Sequence, residues 1–208
     1  MIKALLLIFD PISSWERVVE AKRGIAFILL VYLLPLLVIT SGVEIYGLIH
    51  WGKQDSEFGL PVRVMRSAAL NYGGVQFGLN LLTIFLGAYI IKAVGETFHG
   101  RHSYTSAFTC VAYSMGPLFV VRMLDALPQL PWWLAWPIGI ALSLGVLYQG
   151  IPRVMQPDPA HAMGLYFIGA LLLVIITGLA RVMGHFVLEK QMHTALLTPG
   201  HGALAMLT

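Results

Sequence analysis

Gly24–Ile49 reads GIAFILLVYLLPLLVITSGVEIYGLI, with Glu44 as its one charged residue. Crossing roughly 30 Å of hydrocarbon takes about 20 apolar residues in a helix, so this stretch is long enough to span a bilayer. Four more follow it: Ala69–Val94, Thr105–Leu124, Trp132–Gln149 and Met163–Val182. The fourth is the shortest, but Trp132, Trp133 and Trp136 mark one interface and Tyr148 the other. Hydrophobic residues make up 58% of the chain and charged residues 11%, where a soluble domain carries about 25% charged residues. A chain of 208 residues cannot hide that much apolar surface inside itself. The fold class is therefore all-α: a polytopic membrane protein with a five-helix transmembrane bundle over residues 24–186.

An amphipathic segment, residues 1–23, precedes the bundle. Asp10-Pro11 reads as a cap followed by proline in the first helical turn. From there Ile12, Trp15, Val18 and Val19 share one face, which predicts an interfacial helix with Trp15 at headgroup level. Met1–Phe9 is too short for a signal-peptide core and is expected to be retained. The tail, residues 187–208, is punctuated by Gly and Pro and on its own is expected to be flexible.

The net charge of +3 does not point to nucleic acid, because the basic residues are scattered between apolar runs and form no patch. Their distribution reads as topology instead. Seven fall on the side of the N terminus and six on the other, and the Lys3, Arg17, Lys22, Arg23 group ahead of the first span decides the orientation. The N terminus is expected in the cytoplasm and the C terminus outside, the membrane being the bacterial inner membrane.

In lipid, small residues and interhelical hydrogen bonds associate helices, because apolar contact gains little there. Gly73, Gln76, Asn80, Thr83 and Gly87 recur at spacings of three and four, with Gly74 and Gly78 beside them as a small-xxx-small pair. Gly139 and Ser143 repeat the pattern in the fourth span. These residues are the expected helix contacts, and Pro35 and Pro117 are expected to kink their spans.

Chemistry is sparse. Every intramembrane charge sits near a helix end. Lys92 with Glu96 and Arg122 with Asp125 have the spacing to pair along their own helices, and Glu44 lies toward the same side as Arg181. The Arg122–Asp125 turn is a candidate outer contact, as is Trp15. His99 and His102 form a lone HxxH without enough further ligands for zinc. No nucleophile elbow, phosphate loop or metalloprotease motif is present. No catalytic residue, metal or cofactor is expected.

Three stretches carry a resemblance: Phe9-Asp10-Pro11 with Trp15, Ala112-Tyr113-Ser114-Met115-Gly116-Pro117, and Leu147-Tyr148-Gln149-Gly150-Ile151-Pro152. In this order, ahead of, within and closing the spans, they resemble the Yip (Ypt-interacting protein) family and its short bacterial members. The second departs from the family in having Ala112 where Gly is frequent. The resemblance implies a five-span membrane fold. Eukaryotic members work in vesicle trafficking with Rab-type GTPases and carry a long cytosolic region with an Asp-Leu-Tyr-Gly-Pro motif. No such region precedes Phe9, so GTPase binding is not carried over.

The expected function is a non-enzymatic membrane scaffold or accessory protein. It would associate with lipids and other integral membrane proteins, in a role compatible with a subunit of a respiratory or photosynthetic complex. The rival is a small transporter or channel, which requires a water-accessible path lined by Gln76, Asn80 and Tyr113.

Overall fold

A computed structural model of the chain describes residues 11–54, 61–62, 64–97, 103–130, 133–158 and 160–197. Asp10, His99, His102, Trp132 and residues 198–208 lie outside the described residues. A short helix, α1 (Pro11–Glu20), leads into five long ones. These are α2 (Ile25–His50), α3 (Arg66–Thr97), α4 (Tyr104–Ala126), α5 (Ala135–Met155) and α6 (Ala162–Leu197). All five are long and apolar enough to cross a membrane, and each overlaps one of the five spans expected from the sequence. Between α2 and α3, β1 (Lys53–Gln54) and β2 (Pro61–Val62) pair antiparallel, a small ladder that the apolar pattern did not announce. The boundary expected at residue 187 falls inside α6, which runs through to Leu197.

The outer faces of the helices carry Leu30, Val38, Leu82, Tyr89, Phe167, Leu171 and Phe186, all exposed. An apolar belt of this extent is compatible with hydrocarbon and incompatible with water. Helix α4 is the axis of the bundle: 72% of its apolar 18-residue stretch is buried, against 28–44% for the corresponding stretches of the other four spans. Helix α3 packs along both α4 and α6, and the second half of α4 lies against α5.

Proline shapes three of these helices. Pro35 follows a π-helical turn at Leu29–Leu33, and Pro152 sits within another at Ile151–Met155. Pro117 follows a break in α4 at Met115. Since proline lacks an N–H and crowds the preceding turn, the irregular winding absorbs what a regular helix cannot. The Leu118 amide, just past the break, donates to Ser143 Oγ of α5 at 3.0 Å. Thr40 of α2 donates to the Phe119 carbonyl at 3.1 Å, and Trp136 of α5 to Thr177 of α6 at 3.3 Å. Such bonds connect neighbouring helices where apolar contact alone gains little.

Close approach falls to particular glycines. A Cβ on Gly47 would lie 2.5 Å from the Ala126 carbonyl oxygen and 2.7 Å from its Cα. Backbone cannot yield as a side-chain tip does. Gly47→Ala is therefore expected to cost about 1–3 kcal/mol. Gly145 faces open space, so Gly145→Ala is expected to be neutral or to stabilise by up to about 1 kcal/mol. Thermal unfolding of both variants in one detergent checks the contrast.

Candidate functional site

At the end of the bundle away from α1, the ends of α2 and α4 meet α3 and α6 around four charged side chains. Glu44 stands about 9 Å of helix rise before His50, the end of α2. Its carboxylate faces Arg122 of α4 in a forked pair, Nε to Oε1 at 3.0 Å and Nη2 to Oε2 at 3.1 Å. The remaining nitrogen, Nη1, donates to Asn80 Oδ1 of α3 at 2.8 Å. The Glu44 and Arg122 side chains are only 3% and 5% exposed. A few ångströms along, Asp125 makes a second forked pair with Arg181 of α6, one arm of it Nη2 to Oδ1 at 2.9 Å.

The cluster is electrically neutral and ties four helices together. A planar guanidinium matches a carboxylate through two parallel bonds, a fit that lysine does not provide. Charges at such depth are costly unless paired, and here each charge has its counter-charge.

This corrects the pairing expected from spacing. Arg122 and Asp125 do not pair along α4, nor do they form an outer contact: Arg122 is buried and each residue reaches a different helix. The chain tightens into a 3₁₀ turn at Met123–Ala126, just beyond Arg122. Glu44 and Arg181 also exchange the expected partners, Glu44 taking Arg122 and Arg181 taking Asp125. Lys92 and Glu96 do pair as spaced, at 3.2 Å.

Gln76 is buried beside Gly184, where a Cβ would come 2.5 Å from its Oε1. The void that reaches Asn80 is about 10 Å³, room for roughly one water. Neither Gln76 nor Tyr113 lines it.

The small residues divide. Gly139 meets Leu118, with 2.8 Å from its Cβ position to Leu118 Cδ1, and Ser143 accepts the Leu118 amide. Gly73 abuts Ile45, and Gly87 abuts Leu173. Gly74 and Gly78 instead face open space on the outside of α3, with nothing among the described residues within 4 Å of a Cβ placed on either. The reason is rotational. The side of α3 bearing Gly73, Gln76, Asn80 and Gly87 faces inward, leaving the adjacent pair on the lipid side.

A second cluster lies at the opposite end, and it corrects the reading of Trp15. The indole is fully buried in protein, not exposed as an anchor lying on the membrane. Its Nε1 donates to the Val146 carbonyl at 3.2 Å, and its ring crosses the Tyr113 ring edge-on at 6.3 Å. A Cβ on Gly150 would lie 2.5 Å from Trp15 Cζ2. Tyr113 also lies against Tyr32 of α2, the rings tilted by 34° with centroids 4.5 Å apart. The centre of the apolar face of α1, Trp15, thus meets protein, because Gly150 leaves a seat for the ring and Val146 an acceptor for its N–H.

Trp15, Tyr113 and Gly150 come from the three separate stretches singled out in the sequence, and they meet at this junction. Among the described residues no three His, Cys, Asp or Glu side chains gather as metal ligands. No curated protein and no solved structure matches the chain. A family model, the Yip1 domain, matches residues 5–182, which include all three stretches. With five helices long enough to cross a membrane and this match over most of its length, the chain is a membrane protein of the Yip1 domain family.

Proposed function

We propose that this Yip1-domain protein is a non-enzymatic membrane scaffold or accessory protein that docks the transmembrane helix of another membrane protein on the outer face of α3. One observation carries the reading. The charged groups deep in the spans are matched to one another inside the bundle, while Gly74 and Gly78, one turn apart, lie uncovered among exposed Leu70, Val75 and Leu82. Small residues at that spacing let a second helix approach closely enough for backbone contact.

The cations ahead of α2 favour an N terminus in the cytoplasm and, with the odd number of spans, a C terminus outside, in a bacterial inner membrane. A place in a respiratory or photosynthetic assembly suits the same face. The transporter reading gains nothing from the 10 Å³ void at Asn80.

Purification in mild detergent with identification of the co-eluting chain tests the reading. The double variant Gly74→Leu/Gly78→Leu is expected to lose that chain while keeping wild-type thermal stability. Gly145→Leu, on another open face, is expected to retain it. Recovery of the wild-type protein alone, as a stable monomer, contradicts the reading.

A further inference from the structure

At the end of the bundle that carries Trp15, a cavity of about 290 Å³ opens between α1, the start of α4 and the π-helical turn closing α5. Its polar lining is Lys22 and Arg23 from the α1–α2 turn, with Thr105, Ser106 and Thr109 from α4. Val18 and Val154 supply apolar wall. Among the described residues no carboxylate lines it.

Three features converge on one ligand chemistry. Lys22 adopts a left-handed backbone conformation, φ 40°, and this turn places two consecutive cations beside the cavity. Ser103 caps α4 by accepting the Ser106 amide at 3.1 Å, so the positive end of the helix dipole is directed at the same space. The cavity is also at the right depth. Arg23 stands just before the apolar span Ile25–His50, and Ser103 just before Tyr104–Ala126, so the site lies where hydrocarbon gives way to headgroups. Its volume is at the small end of ligand sites, suited to a headgroup more than to a whole lipid.

We infer that this cavity binds a phosphate ester of net negative charge. The phosphate would sit between Lys22, Arg23 and the α4 N-terminus, and its organic remainder along Val18 and Val154. An anionic phospholipid headgroup and free phosphate share this chemistry, and the inference is independent of what docks on α3.

The test uses the full-length protein in neutral detergent. Thermal stability and native mass spectra are followed during titration with phosphatidylglycerol, phosphatidylcholine or inorganic phosphate. Saturable stabilisation by phosphatidylglycerol, at least tenfold tighter than by phosphatidylcholine, is expected and assigns the site to lipid. Saturation by inorganic phosphate with no preference among lipids supports the same site with free phosphate as its source.

Lys22→Gln/Arg23→Gln is expected to weaken binding at least tenfold, and Arg66→Gln, on α3 at the other end, to leave it unchanged. Thr105→Glu places a carboxylate in the cavity at a helix start that tolerates one. It is expected to abolish binding in a protein of normal stability. Equal affinity for the two lipids without saturation by inorganic phosphate, or wild-type binding by Thr105→Glu, overturns the inference.

Discussion

Replacing Arg122 by leucine is expected to destabilise the bundle by about 3–5 kcal/mol, the cost of leaving a buried carboxylate without its counter-charge. Glu44 is almost completely enclosed and has Arg122 as its forked partner, and Asn80 loses a donor at the same time. Glu44→Leu strands the guanidinium and is expected to cost a similar amount. The double variant Glu44→Leu/Arg122→Leu is the discriminating case. With both charges gone and apolar volume restored, most of the loss is expected to return, because a buried ion pair contributes little beyond a well-packed apolar pair. Reversible unfolding of the four proteins in one detergent measures the cycle. Additive losses would show that the two side chains do not depend on each other.

The second large effect is expected at the other end of the molecule. Trp15→Ala removes a fully buried indole and its bond to Val146, and is expected to cost about 3–5 kcal/mol. Gly150→Ala pushes a methyl against the indole ring within 2.5–3.0 Å of three ring atoms. The ring is held by its N–H bond and by Tyr113, so an overpacking cost of about 1–3 kcal/mol is expected. The two changes share one cause. In a Trp15→Ala background Gly150→Ala is expected to cost almost nothing, which thermal unfolding of the double variant checks. An undiminished Gly150 effect there would mean that glycine serves α5 itself and not the indole.

These two clusters show what a sequence can and cannot carry. The five spans were legible because hydropathy reports the solvent, and each run of some twenty apolar residues announces hydrocarbon on its own. Partner choice among the charges was not. Spacing along α4 shows only that Arg122 and Asp125 are neighbours, whereas their true partners depend on how α2, α4 and α6 are rotated about their axes. The same rotation separates Gly73 and Gly87, which pack inward, from Gly74 and Gly78, which face outward. Periodicity marks a stripe of small residues but not which of two adjacent stripes meets protein.

Trp15 failed for a related reason. An apolar helical face looks alike whether it rests on lipid or on protein. The signal lay elsewhere, in Gly150 near the close of α5 and Tyr113 before Pro117, both within the stretches that carry the family resemblance.

The central claim is that five helices turn their charges toward one another and their apolar faces toward hydrocarbon. Leu82 and Ile175, both near the middle of their spans and exposed, test it most directly. In a Cys110→Ala background, nitroxide labels at these two positions in lipid bilayers report collision with dissolved oxygen and with a water-soluble relaxing agent. The account predicts strong relaxation by oxygen and almost none by the aqueous agent at both sites. Ready access of the aqueous agent to either label would contradict it.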